Sequence, residues 1–87
     1  MQAELRLALQ ARNPARNIHR AWTVEAGPDL FGAWLVLTRY GRIGTEGRRI
    51  ARSFVDESAA RAHIAAALRR RAGAPRRLGT DYHVVTT

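Results

Sequence analysis

Apolar residues recur at every second position in the first part of the chain. In ELRLALQAR, residues 4–12, Leu5, Leu7, Leu9 and Ala11 share one face, with polar and charged residues between them. That alternation predicts a strand with one buried side. RNPARN, residues 12–17, follows as a turn stretch, with Pro14 between two asparagines. IHRAWTVEA, residues 18–26, predicts a second strand with Trp22 and Val24 on one face. GPDLFG, residues 27–32, is a short connector bounded by glycines. AWLVLTRY, residues 33–40, is dense in aliphatic and aromatic residues and is the strongest strand pattern in the chain. GRIGTEG, residues 41–47, then turns, with Gly44 to Gly47 as its expected span. RRIARSFV, residues 48–55, runs back as the return strand of a hairpin.

Residues 56–72 change period. Ala60, Ile64, Ala67, Leu68 and Arg71 fall on one face of a helix. Asp56 or Ser58 can cap its start, and Asp56 and Glu57 suit the positive end of its dipole. Arg69, Arg70 and Arg71 suit the negative end, Gly73 can terminate it, and Pro75 prevents continuation. GAPRRLG, residues 73–79, reads as a loop, and DYHVVTT, residues 81–87, as a short closing strand. No internal repeat is visible. The expected architecture is α+β, a single antiparallel β-sheet of about four or five strands with one α-helix, about residues 56–72, packed across it.

Composition narrows the function. A chain of 87 residues suits one domain, expected over residues 1–87. A domain of this size buries only about 60–65% of its unfolded surface, which leaves little interior for a deep active site. There is no cysteine, so disulfides and thiolate metal sites are excluded. The first ten residues lack the basic start and apolar run of a signal peptide. No stretch approaches the roughly 20 apolar residues of a membrane span. The expectation is therefore a cytoplasmic protein with no membrane contact.

Charge is more informative. The formal net charge is +8 and the sequence pI is about 11.7, and all fifteen basic residues are arginines. An arginine- and alanine-rich bias fits a GC-rich bacterial genome. Residues 39–77 hold eleven arginines against three acids and carry essentially all of the excess. A concentrated basic stretch points to a polyanionic partner, because guanidinium binds phosphate in bidentate fashion. A solvated charged surface is the plainer alternative, and complementing the helix dipole accounts for part of the arginine run.

Candidates for catalysis are poor. His19, His63 and His83 lie on different elements without metal-ligand spacing. Ser53 and Ser58 lack a nucleophile signature, and capping explains Asp56 and Glu57 better than acid–base work. A non-enzyme without cofactor or metal is expected. Gly41-Arg-Ile-Gly44 matches the GxxG loop of KH domains, but strands flank it where helices should. Glycines at 41, 44 and 47 permit a close backbone approach, and Arg39, Arg42, Arg48 and Arg49 surround them together with Tyr40. Ring, guanidinium and backbone amides together suit sugar, base and phosphate. An ordinary hairpin with its necessary turn glycines would look the same.

RYGRIGT, residues 39–45, closely resembles the signature of WGR domains, a Trp-Gly-Arg motif followed by an apolar residue and glycine. RNPARNIHRAW, residues 12–22, resembles the early segment of bacterial members. DLFGAW, residues 29–34, resembles their connector, and FVDESAARAHIAAALRRRAG, residues 54–73, the Phe-led turn and Ala-rich helix. The resemblance covers residues 5–73 and leaves 74–87 as a C-terminal loop and short strand. It implies the same sheet-and-helix fold and nucleic-acid binding, a role best founded in poly(ADP-ribose) polymerases. There the motif tryptophan packs against the sugar at a DNA end, and the arginine helps organise neighbouring domains. By position, Tyr40 takes the tryptophan's place, Gly41 the glycine's and Arg42 the arginine's, while Arg71 falls where a basic residue contacts DNA. Tyrosine in place of tryptophan offers less area and adds a hydroxyl. The stretch after the helix is longer than the family's compact ending, with Tyr82 as the candidate for its aromatic. No catalytic domain accompanies the motif, so no ADP-ribosyl transfer is implied. The expected partner is nucleic acid, DNA ahead of RNA, bound through Tyr40, Gly41, Arg42, Arg39, Arg48, Arg49 and Arg71. The alternative is a protein-interaction module, working with a partner enzyme or as a homodimer.

Overall fold

The alternating segments form a sheet, and the segment of longer period lies across it as a helix. The computed structural model of the chain describes residues 3–73 and 82–85. Strands β1 (Leu5–Asn13), β2 (Ile18–Pro28), β3 (Trp34–Arg42) and β4 (Arg48–Phe54) precede α1 (Glu57–Ala72), and β5 (His83–Val84) follows it. Neighbouring strands are antiparallel, in the order β4-β3-β2-β1-β5. The α+β expectation of one antiparallel sheet and one packed helix is met.

Register explains the core. Leu9 lies opposite Trp22, Trp22 opposite Tyr40, and Tyr40 opposite Arg48, so these four form one row across the sheet. The next row along the same face is Leu7, Val24, Thr38 and Ile50. Trp22, Val24 and Val36 are each only 1% exposed. Helix α1 covers this face with Ala60, Ile64 and Ala67, all buried. Two alanines let the helix approach the sheet closely, and Trp22 and Trp34 supply the bulk. Among the described residues no helix or strand covers the opposite face.

The termini of α1 follow the expected chemistry. Asp56, not Ser58, is the N-cap, and its carboxylate accepts from the Ala59 N–H at 2.9 Å. Glu57 adds an ion pair with Arg61 at 2.8 Å. Gly73 caps the other end at φ −83°, a conformation open to any residue, and donates to the Arg70 and Arg71 carbonyls. Beyond Gly73, the expected loop lies outside the described residues. So do Asp81, Thr86 and Thr87 of the expected closing strand.

Two expected boundaries move. The turn stretch at 12–17 resolves into the end of β1, a 3-10 turn at Pro14–Arg16, and Asn17 in the left-handed region at φ 56°. More consequentially, Gly41 and Arg42 belong to β3 and not to the turn. They pair with Ala21 and Arg20 of β2, which continues past the point where β4 begins. The turn is confined to residues 43–47. The Ile43 N–H donates to His19 O at 2.8 Å, and Thr45 donates through both its N–H and its hydroxyl to Arg42 O.

Glycine is required at the neck of this hairpin. At Gly47 the backbone is left-handed, φ 63°, and any Cβ would collide with the Tyr40 carbonyl. At Gly41 a Cβ would sit 2.8 Å from Gly47 Cα. The close backbone approach is thus enough to explain the motif glycine.

Three outcomes follow from this packing. Gly47→Ala should destabilise by at least ~2 kcal/mol, combining left-handed strain with the collision. Gly44→Ala, where a Cβ meets nothing within 4 Å, should cost about 1 kcal/mol from its positive φ alone. Equal urea midpoints for the two variants would contradict the close approach. Asp56→Ala should cost about 1 kcal/mol, read as a fall of roughly 4–8 °C in Tm; an unchanged melt would remove the cap from the account. His63, packed against Phe54 with ring centroids 5.0 Å apart and the planes tilted by 38°, has its pKa lowered by burial and then by the charges of Arg52 and Arg70. The unfolded chain therefore binds the proton more readily. This contribution is complete above about 6.5 and is lost as pH falls through the folded-state value. The Tm should drop between pH 7.5 and 5, and less so in His63→Phe; identical pH profiles would show that His63 carries none of the drop.

Candidate nucleic-acid interface

The sheet alternation and the helix direction bring the motif residues to one end of the molecule. β3 carries Tyr40 and Arg42 on the helix-covered face. α1 begins beside Phe54 at the far end of the sheet and ends with Arg70 and Arg71 at this one. Between them lies an open cleft of about 670 Å³, lined by Asn17, His19, Arg20, Tyr40, Gly41, Arg42, Arg70, Arg71 and Tyr82, with Ile18 and Ala21. No carboxylate is among these lining residues.

Each side chain has a physical reason for its position. The Arg71 guanidinium lies over the buried Trp22 ring, 4.7 Å from its centroid, a cation–π contact worth about 0.5–2 kcal/mol. Its Nη1 also donates to Ala67 O at 3.5 Å, a long bond. Arg42 donates from Nη2 to Asn17 Oδ1 at 3.3 Å, so the 3-10 turn after β1 braces the motif arginine. Arg20 stands directly across from Arg42. Tyr40 is half-buried and packs against the core cluster beside its cross-strand partner Trp22.

The seven expected site residues separate into three groups. Tyr40, Gly41, Arg42 and Arg71 meet at the cleft. Arg48 is exposed in the row of Tyr40, at the edge strand. Arg39 and Arg49 are opposite one another on the other face of the sheet, and Arg39 donates to Thr45 O at 3.0 Å. Asn17, His19, Arg20 and Arg70 also line the cleft and were not anticipated. Arg20 was within reach of sequence reasoning, since it lies two residues before Trp22 on the same strand face. His19 and Asn17 depend on the turn geometry.

No group of three His, Cys, Asp or Glu side chains could hold a metal ion, among the described residues. Nor, among them, is any helix long and apolar enough to cross a membrane.

Comparison with known proteins agrees with the motif reading. The sequence profile of the WGR domain matches residues 5–74. A protein of Sinorhizobium fredii (strain NBRC 101917 / NGR234), described as "Uncharacterized protein y4dW", is 36% identical over 52 residues. That alignment covers 60% of this chain and 26% of the relative, so the chain spans about a quarter of that protein's length. No solved structure matches. The matched span contains β1 to β4 and all of α1, and so the chain belongs to the WGR domain family.

Proposed function

We propose that this chain is a non-catalytic nucleic-acid-binding module that holds DNA, ahead of RNA, by phosphate and sugar contacts with weak sequence preference. The observation that carries this reading is the cleft beside Tyr40. It gathers Arg20, Arg42, Arg70 and Arg71, with no carboxylate among its described lining residues. Guanidinium forks match phosphate oxygens, and contacts to phosphate fix position without reading sequence. α1 lies against the sheet, so it is not offered to a major groove as a recognition helix. The WGR domain is a non-catalytic module in poly(ADP-ribose) polymerases, which is consistent with this role. A cytoplasmic location, where a bacterial chromosome lies, fits the same reading.

One feature favours a protein partner. At the other end of β2 and β3, roughly 30 Å away by strand length, Leu30 and Phe31 are 94% and 92% exposed. Asp29 holds this tip, accepting from the Phe31 and Ala33 N–H groups at 2.7 and 3.1 Å. Trp34, the neighbouring aromatic, is buried and takes no part. The β4 edge carries Arg48, Arg49 and Arg52, charges that discourage pairing with a second copy.

Fluorescence anisotropy separates the readings, using duplex DNA with a 5′-phosphate end, hairpin-capped duplex, single-stranded DNA and duplex RNA at several salt concentrations. Affinity for DNA should fall with salt with a log–log slope of about −3 for some three to four neutralised phosphates. Arg42→Ala should weaken binding and lower that slope by about 1. Tyr40→Ala should weaken binding with the slope unchanged, its fold checked by circular dichroism. Tighter binding to the free end would assign Tyr40 the role of the family tryptophan. Absence of binding at low salt would overturn the nucleic-acid reading and leave the Leu30–Phe31 tip as the functional surface.

A further inference from the structure

The register sets arginine directly against arginine twice. Arg20 faces Arg42 across β2 and β3, and Arg39 faces Arg49 across β3 and β4. Alternation puts the first pair on the helix-covered side and the second on the open side. Like charges directly opposite in an antiparallel pair are destabilising, and a bound anion removes that repulsion. The first pair belongs to the cleft already described. The second pair does not.

The open face around Arg39 is shaped as well as charged. Arg39 stands between two concavities. One, of about 480 Å³, is lined by Thr23, Glu25, Leu37, Arg39, Arg49 and Ala51. The other, of about 250 Å³, lies under the hairpin turn and includes Gln10, Thr23, Arg39 and Thr45. Glu25 is engaged by Arg6 at 3.9 Å. Thr45 O accepts from Arg39 Nη2, which holds the guanidinium at the mouth of both. A guanidinium carries five N–H donors, so this bond uses one of them.

We propose that Arg39 and Arg49 form a second phosphate-binding site, on the opposite side of the sheet from the Tyr40 cleft, for the backbone of a second nucleic-acid duplex. The inference rests on the nucleic-acid reading of the cleft and extends it from one segment to two. Duplex DNA is stiff over about 150 base pairs, so a duplex seated at the cleft cannot fold around the hairpin to reach the other face. The two arginine pairs are therefore occupied by separate segments, and one chain holds them together.

The test is a capture experiment with the whole chain. A hairpin-capped duplex is immobilised and saturated with protein, and a second, labelled duplex is then passed over it. The variants are Arg39→Ala/Arg49→Ala and a charge-matched control, Arg61→Ala/Arg69→Ala, both altered at exposed positions. Wild type and control should capture the labelled duplex. The Arg39→Ala/Arg49→Ala variant should bind the immobilised duplex within about threefold of wild type and lose capture at least tenfold. Sedimentation of the free protein as a monomer excludes capture through a second copy. Capture that persists in Arg39→Ala/Arg49→Ala overturns the proposal, as does equal loss of first-duplex affinity and capture. Wild type that binds the immobilised duplex but captures nothing overturns it while leaving the cleft reading intact. Failure to bind the immobilised duplex overturns both.

Discussion

The guanidinium of Arg71 over the Trp22 ring joins the last turn of α1 to the centre of the sheet. Trp22 is the largest fully buried side chain, and it sits in the row that leads through Tyr40 to Arg48. Arg71 covers this ring and at the same time faces the cleft. Desolvating a cation over an aromatic face strengthens the attraction to its quadrupole. The aliphatic stem of the arginine adds packing that a shorter side chain would lose. This contact helps hold the helix end against the sheet beside the cleft. Arg71 is thus a core residue by its stem and a cleft residue by its head.

Sheet geometry then decides what a basic run becomes. In RYGRIGTEGRR the arginines look like a single patch. Period-2 alternation divides them, sending Arg42 and Arg48 to the side of Tyr40 and Arg39 and Arg49 to the other. The three glycines do not serve one purpose either. Gly47 and Gly41 let the backbone approach itself closely at the hairpin neck, where a Cβ on either would meet backbone.

Much of the fold was legible in the chain. The alternation of Leu5, Leu7, Leu9 and Ala11 identifies β1 and its buried face, and the spacing of Ala60, Ile64 and Ala67 identifies the buried stripe of α1. These are local patterns, and burial on one face is enough to produce them. The site was legible only in part. Tyr40, Gly41, Arg42 and Arg71 come from the family motif. That Arg39 and Arg49 leave this group depends on the strand register, which pairs residues ten apart through a turn of undetermined length. That Gly41 and Arg42 are strand residues depends on β2 outrunning β4, which no local preference encodes. Asn17 reaches Arg42 from twenty-five residues away through a left-handed turn position, and that contact has no sequence signal beyond the asparagine itself.

The arginine run at the end of α1 admits two explanations, dipole complementation and attraction of an anion, and their magnitudes are compatible. A helix C-terminus carries about half a negative charge, which makes it the wrong end for a phosphate. Arg69, Arg70 and Arg71 place three positive charges on that last turn. Offsetting half a unit accounts for only part of that charge. Two of those three, Arg70 and Arg71, line the cleft, where Arg20 and Arg42 add theirs from the sheet. A cleft built at a helix N-terminus would draw its anion with backbone N–H groups. This one sits at the opposite end and depends on side-chain cations for its sign. On the proposed reading, its electrostatic selectivity lies in a few named arginines and can be removed one charge at a time.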